Sequence, residues 1–161
     1  MDFDEIMNAD RHRKQEAIRL EELAAQAERE AKRAAAERAK NFLAAVSPVL
    51  KTMRERWEKR FKKFPEYRCV GLSSPAAGPP KGIRWVRLSI SPAQGGSASK
   101  NFDLHASADL ESGTIQVLGY TERYPTVVIE SGLEPSEVTE QKIDDILAQF
   151  AEWFTNLGRK A

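Results

Sequence analysis

The chain has one cysteine, Cys69, among 161 residues. A single thiol excludes a disulfide within the chain and a metal site built from several thiolates, and it is typical of a reducing compartment, so we expect a cytoplasmic protein. No apolar run approaches the roughly 18 residues that a membrane-spanning helix needs. The first residues are acidic and then basic, without the apolar stretch of a secretory signal, so we expect none.

Glycine and proline are absent from the first 47 residues, where large apolar side chains are also scarce. Alanine, glutamate, lysine and arginine, which favour the helix, dominate this part. Opposite charges recur at the spacing of helix neighbours, in the pairs Asp10 with Lys14, Glu28 with Lys32, and Glu30 with Arg33. Residues 1–46 are therefore predicted to form a charged, alanine-rich helical arm.

The apolar stripe of this arm starts with large residues, Leu20 and Leu23, and continues as alanine from Ala24 and Ala27 onwards. A sustained coiled coil needs large residues at both seam positions over several heptads. Two interpretations remain open. Either Leu20, Leu23 and Ala27 pack against a partner helix, from a second copy or from another protein, or the arm is a solvated helix held by charge pairs.

The next segment, 41–64, has a helical apolar face opposite a basic face. Ser47 and Pro48 interrupt it, and because proline inside a helix removes a hydrogen bond and clashes with the preceding turn, we expect a break or bend there and a second helix from Pro48 to about Lys63. The apolar face comprises Phe42, Val46, Leu50, Met53, Trp57, Phe61 and Phe64.

Cations are concentrated in residues 51–68, which hold eight Lys/Arg and three Asp/Glu. Clustered cations with interleaved aromatic residues can contact phosphates and unpaired bases, and a basic helix also suits an acidic protein or an anionic membrane surface. A solvated outer face is the plainer alternative. The predicted partner-binding or phosphate-binding residues are Arg54, Arg56, Lys59, Arg60, Lys62 and Lys63. In the nucleic-acid interpretation, Arg84 and Arg87 extend the patch.

Charge is unevenly distributed along the chain. Residues 1–100 contain 21 Lys/Arg and 13 Asp/Glu, whereas residues 101–161 contain 4 and 11. A basic half joined to an acidic half predicts either complementary assembly or two different contact surfaces. The acidic side of the C-terminal helix is one candidate partner for the basic helix, within the molecule or in a second copy.

Residues 67–72 are interpreted as a short strand, and from Gly82 the apolar period becomes two, which is typical of half-buried strands. Strands are predicted at 67–72, 84–90, 102–110, 114–120 and 126–130, with proline- and glycine-rich connections at 73–82 and 91–100 and a corner at Tyr124-Pro125. Short connections favour an antiparallel meander with one covered face.

The wide apolar stripe from Ile143 to Leu157 predicts a closing amphipathic helix. We therefore expect an α+β fold: a helical arm, 1–46, and a compact domain, 47–161, with a sheet of four to five strands.

Catalytic patterns are nearly absent. No phosphate-binding loop, dinucleotide fingerprint, metalloprotease helix or nucleophile elbow occurs, so no cofactor, metal or catalytic residue is predicted. Asp103 and His105 lie two residues apart on one strand, where both project from the same face, but a general base also needs a pocket and a third orienting group. Cys69 has no positional sign of a nearby histidine, so an inert thiol is expected.

These features favour a non-enzymatic protein that binds a larger partner through its arm and its basic helix. Adaptors, assembly factors and inhibitors have such an organisation, and a second copy of the chain is a further candidate partner. The alternative is a nucleic-acid-binding protein that uses residues 51–68. An enzyme with a site at Asp103 and His105 is the third hypothesis.

Overall fold

The computed structural model describes residues 2–75, 81–93 and 101–160. The centres of the two predicted connections, at 73–82 and 91–100, lie outside the described residues. The elements follow the order helix, five strands, helix, so the predicted α+β fold with an antiparallel sheet is confirmed. They are α1 (Phe3–Phe61), β1 (Tyr67–Ser73), β2 (Trp85–Pro92), β3 (Phe102–Asp109), β4 (Thr114–Thr121), β5 (Tyr124–Leu133) and α2 (Glu140–Lys160). By their internal packing, the residues divide into two units, Met1–Arg38 and Ala39–Ala161.

The first unit is helical from Phe3 and its side chains face solvent almost throughout. Its start is capped reciprocally: the Glu5 amide donates to Asp2 Oδ1 at 2.8 Å, and the Asp2 amide donates to Glu5 Oε2 at 3.3 Å. Such an exchange satisfies amides that a helix start leaves unpaired. The predicted pairs of Asp10 with Lys14 and of Glu28 with Lys32 are present, at 2.9 and 3.2 Å. Local charge and propensity therefore account for this helix.

The predicted break at Ser47-Pro48 is wrong, because Pro48 lies inside α1. An interior proline costs about 3 kcal/mol. Three side chains near Pro48 on the core face, Val46, Leu50 and Met53, are fully buried. Their burial requires the helix to continue through Pro48, and each contributes about 1.5–3 kcal/mol to folding stability. Ser47 is not a helix cap either, since its hydroxyl accepts a hydrogen bond from the Ile83 amide at 3.0 Å. Core packing therefore outweighs the proline.

The sheet is a simple meander in which each strand pairs with its sequence neighbours, in the order β1-β2-β3-β4-β5. On β2 the predicted face of Val86, Leu88 and Ile90 is buried, as are Leu104 and Ala106 on β3. Alternate residues of a strand point to opposite faces, so one face of the sheet contributes to the core and the other remains accessible. The covered face packs against α1 and α2 residues of the second unit.

The last strand is longer and less regular than predicted. The Tyr124-Pro125 corner is in fact part of β5, because Tyr124 already pairs with Thr121 of β4. The register of this pair shifts at three places, between Ile115 and Thr121. Proline is tolerated on an edge strand, where its missing amide faces away from the sheet.

The core is closed by α2, whose residues Ile143, Ile146 and Phe150 are buried as its apolar stripe predicts. Trp57 of α1 is also fully buried, and its indole nitrogen donates to the Ile143 carbonyl at 3.4 Å. Trp153 is half-buried over Gly119, where a Cβ would lie 3.0 Å from the Trp153 ring. The small residue on β4 thus lets the indole ring approach the strand.

Candidate interaction surface

The six predicted partner-binding cations fall into two groups. Arg54 and Arg56 are half-buried, whereas Lys59, Arg60, Lys62 and Lys63 are exposed. Arg54 donates through Nη1 to Ser73 Oγ of β1, and its Nε lies 3.2 Å from Glu58 Oε1. Arg54 therefore connects α1 to the sheet and is not available as a surface cation.

Arg56 forms a bidentate ion pair with α2. Its Nε and Nη2 donate to the two carboxylate oxygens of Asp144, each at 2.9 Å, and its Nη1 lies 3.7 Å from Glu140 Oε1. A bidentate arrangement of this kind fixes orientation as well as distance. The paired guanidinium lowers the pKa of Asp144. The predicted acidic partner on the C-terminal helix is thus present for Arg56, within the chain itself.

Three of the exposed cations, Lys59, Arg60 and Lys63, line a shallow depression of ≈ 150 Å³ together with Arg56. They make no ion pair among the described residues. Lys59 and Arg60 lie in the last turn of α1, and Lys63 lies in the turn that follows it, where its amide donates to the Arg60 carbonyl at 3.4 Å. We call Lys59, Arg60 and Lys63 the basic rim.

An apolar groove of ≈ 280 Å³ lies next to the basic rim, between the end of α1 and α2. Arg60 borders both cavities. Phe64 is the most exposed aromatic side chain that the structure describes in the second unit, with 53% of its surface accessible. The groove is lined by Phe61, Phe64, Tyr67, Leu147, Ala148, Ala151 and Phe154, with Arg60, Asp144 and Thr155 at its margin.

The sequence did not reveal this groove, although it predicted both helices that form it. Phe64 was assigned to the covered apolar face, whereas α1 ends at Phe61 and leaves Phe64 in the following turn. Ala148 and Ala151 lie on α2 beside larger apolar residues, and small side chains next to large ones on a helix face are the signal for a depression. The depth of such a depression depends on how the two helices pack, and the sequence pattern does not give that packing.

Lys62 differs from the basic rim, since it approaches Cys69 of β1 and does not line the depression that the three rim residues share. Burial, with a contribution from the Glu58 carboxylate, raises the pKa of the Cys69 thiol to about 11. A thiol with so high a pKa is protonated at neutral pH and is a poor nucleophile. The expectation of an inert cysteine agrees with this environment.

The predicted association residues of the arm are exposed: Leu20 to 56% and Leu23 to 51%, and Ala27 also faces solvent. Phe3 is exposed to 74% and Ile18 to 56% on the same unit. Scattered apolar residues on a surface need no explanation, but a series on one helix is compatible with a partner helix. Helix association remains a prediction.

Asp103 and His105 line a third cavity, on the uncovered face of the sheet, with Arg87 and Tyr120. The sequence pattern did not identify a third group beside Asp103 and His105. In the structure that group is Arg87, whose Nε donates to His105 Nδ1 at 3.5 Å. Since Arg87 projects from the face opposite the helices, it does not extend the basic patch of α1, which corrects that expectation. Within the described ranges, no group of three His, Cys, Asp or Glu residues could hold a metal ion.

Comparison with known proteins gives no relative: no protein-family model matches the sequence, and searches of curated proteins and of solved structures find no match. Across the described part of the chain, no helix is both long enough and apolar enough to span a membrane.

Proposed function

We propose that this chain is a non-enzymatic interaction protein that binds an acidic, amphipathic segment of a larger protein partner. The single observation behind the proposal is the apolar groove beside the basic rim. A helix that presents apolar side chains at positions i, i+3, i+4 and i+7 can place them in such a groove, as other helix-binding domains do. Acidic residues on its flank would then meet Lys59, Arg60 and Lys63.

The charges of the site support an acidic partner over a basic one. Asp144 is paired with Arg56, and none of the three rim residues forms an ion pair among the described residues. Exposed charge pairs add modest affinity but guide association and select partners by charge. The apolar lining, with Phe64 at its edge, would provide the buried contact at the centre of the interface.

The arm has a second role in this proposal. Leu20, Leu23 and Ala27 would pack against a helix of the partner or of a second copy. The double variant Leu20→Arg with Leu23→Arg should convert any oligomer of the full chain to a monomer, measured by light scattering. An unchanged mass would remove these residues from the interface. The adaptor, assembly-factor and inhibitor roles and the cytoplasmic location stay predictions.

A charge-reversal experiment tests the groove. The probe is a short synthetic peptide with glutamates on one helical face and leucine and phenylalanine on the other. The full chain with Lys59→Glu, Arg60→Glu and Lys63→Glu should bind it about ten-fold more weakly or worse, measured by fluorescence anisotropy. Lys62→Glu is the matched control, because this residue is also exposed but does not line the depression of the basic rim, and it should bind nearly as the unmodified chain does.

Phe64→Ala completes the test, because it removes the apolar edge and leaves every charge in place. It should weaken the peptide complex while the melting temperature stays close to that of the unmodified chain, since the side chain is largely exposed. If the triple variant and Phe64→Ala both bind the peptide normally, the groove is not the binding site.

A nucleic-acid-binding function is the second candidate, and the exposure of Phe64 beside cations favours it. An accessible aromatic ring can stack on an unpaired base, and neighbouring lysines can contact phosphates. Binding of a single-stranded oligonucleotide would then fall steeply as salt is added, because phosphate contacts release counterions. If no oligonucleotide is retained at low salt while the acidic peptide still binds, this candidate fails and the protein-binding function is supported instead.

A further inference from the structure

The uncovered face of the sheet has a cavity of ≈ 270 Å³ that the proposed interaction function does not use. Strand register brings its residues together. His105 of β3 is opposite Arg87 of β2 and Leu118 of β4, while Asp103 is opposite Tyr120. Arg87 and Asp103 are therefore diagonal neighbours on adjacent strands, a separation that long side chains can bridge with a ligand between them. Thr126 of β5 completes the lining.

Arg87 is held in position by two aromatic rings. Its guanidinium carbon lies 5.2 Å from the centre of the Trp85 ring, within the range of a cation–π contact. The rings of Trp85 and His105 are 5.4 Å apart and inclined by 33°. Because the Arg87 Nε also donates to His105 Nδ1, the three side chains support one another. A cation fixed in this way loses little conformational freedom when a ligand binds.

The same contacts define the state of His105. Burial, and secondarily the neighbouring guanidinium, lowers the pKa of this imidazole, so it is neutral at pH 7. Since Nδ1 accepts a hydrogen bond from Arg87, the ring proton is on Nε2. His105 is therefore a neutral, oriented part of the cavity wall rather than a second cation.

One carboxylate oxygen of Asp103 lacks a hydrogen-bond donor among the described residues. This atom, Oδ1, is also shielded from solvent. Leaving a shielded carboxylate oxygen unpaired is unfavourable, so a donor supplied by a ligand would be stabilising. The carboxylate torsion is broad and two-fold, and Asp103 already lines the cavity, so a modest rotation can present the oxygens to a donor that enters it.

The opposite charges of Arg87 and Asp103 restrict which chemical class of ligand the cavity can bind. A simple anion suits Arg87 but is repelled by Asp103, and a simple cation suits Asp103 but is repelled by Arg87. An uncharged group that offers hydrogen-bond donors to the carboxylate and acceptors to the guanidinium suits both. The apolar side chain of Leu118 and the ring of Tyr120, on β4, provide a surface against which a flat molecule can lie.

We propose that this cavity binds a guanine base. Guanine has N–H donors at N1 and N2 for the Asp103 carboxylate, next to the O6 and N7 acceptors that arginine recognises with two hydrogen bonds. Its flat ring would lie against Leu118 and Tyr120. Adenine has an acceptor where guanine has the N1 donor, so it would place an acceptor against the carboxylate.

Calorimetric titration of the full chain with three nucleoside monophosphates tests the proposal. Guanosine, inosine and adenosine monophosphates share the sugar and the phosphate, so differences in affinity report the base alone. Guanosine monophosphate should bind most tightly, and the inosine compound, which lacks the amino group at position 2, about ten-fold more weakly. Adenosine monophosphate should bind more weakly than both. Equal affinities for the guanine and adenine compounds, or no binding of the guanine compound, would overturn the proposal.

Variants assign the binding to this cavity. Asp103→Asn should weaken binding of guanosine monophosphate about ten-fold or more, because an NH2 donor replaces one of the two acceptor oxygens and the negative charge is lost. Its melting temperature should not fall, since Oδ1 has no hydrogen bond to lose. Glu111→Gln, which alters an exposed acid at the β3–β4 turn, is the control and should bind normally. If Asp103→Asn binds as tightly as the unmodified chain, the base lies elsewhere and the assignment is wrong.

Discussion

The helix α1 contributes to both units of this protein, and the two contributions differ in what stabilises them. Between Leu43 and Trp57 its core-facing side chains have no accessible surface, whereas Leu20 and Leu23 in the first unit are about half exposed. The first part depends on propensity and charge pairs, which contribute only about 0.2–0.5 kcal/mol each. The second depends on apolar burial, which contributes several times more per side chain. The two parts of α1 are therefore expected to differ in stability, although they belong to one helix.

The largest expected effect separates these two parts. Trp57→Ala should lower the free energy of unfolding by about 3–5 kcal/mol, because it leaves a cavity at a fully buried position and removes the hydrogen bond to the Ile143 carbonyl. Leu20→Ala, on the exposed face of the same helix, should change it by no more than about 0.5 kcal/mol. Urea denaturation followed by circular dichroism measures both. Similar losses for the two variants would mean that the exposed part of α1 also contributes to the core.

A smaller effect is expected where α2 approaches the sheet. In Gly119→Ala the new Cβ would lie 2.8 Å from Val127 Cγ1 and 3.0 Å from the Trp153 ring, so the helix or the strand must shift. Overpacking of this kind costs about 1–3 kcal/mol. Gln116→Ala, on the uncovered face of the same strand, should be nearly neutral in the same urea assay. If Gly119→Ala is equally neutral, Trp153 does not pack on this strand.

The smallest effect concerns the ion pair of Arg56 with Asp144, and it depends on pH. The pKa of Asp144 is lowered from 3.8 in the folded chain. The ion pair therefore stabilises the fold above pH 3.8, and this stabilisation is lost as the pH falls through the lower pKa of the folded chain. Asp144→Asn should therefore melt at a lower temperature than the unmodified chain at neutral pH, and the difference should shrink in strong acid.

Asp145→Asn is the matched control for this ion pair, since Asp145 is exposed and accepts a hydrogen bond from the Gln141 side chain at 2.8 Å, with no ion pair to a described residue. It should melt like the unmodified chain at both pH values. A difference for Asp144→Asn that stays constant into strong acid would mean that its carboxylate does not act through a charge pair.

Elements with a strong apolar period were predicted well. The alternation on β2 and β3 and the stripe on α2 identify the buried residues because burial itself produces those periods. The break at Pro48 was wrong because a local rule competed with several buried side chains. The corner at Tyr124-Pro125 was wrong for a related reason: an edge strand tolerates a proline that a central strand would not.

The candidate sites were predicted less well, since they depend on contacts between distant residues. The sequence placed six cations on one segment, but only the packing of α2 shows that Arg56 is paired and that Lys59, Arg60 and Lys63 line one depression. Likewise, Asp103 and His105 were predicted to share a face, whereas the approach of Arg87 follows from the register of β2 with β3. The apolar alternation fixes which face of a strand is buried but is unchanged by a shift of two residues, and the packing of two helices has no local signal in the sequence.

The irregular last strand bears on how copies of this protein can meet. A flat edge with a regular ladder of free amides and carbonyls invites another strand to add to it and can start fibrous aggregation. On β5, Pro125 removes one amide, and the shifts in register bend the remaining ladder. This border of the sheet is thus a poor template for sheet extension.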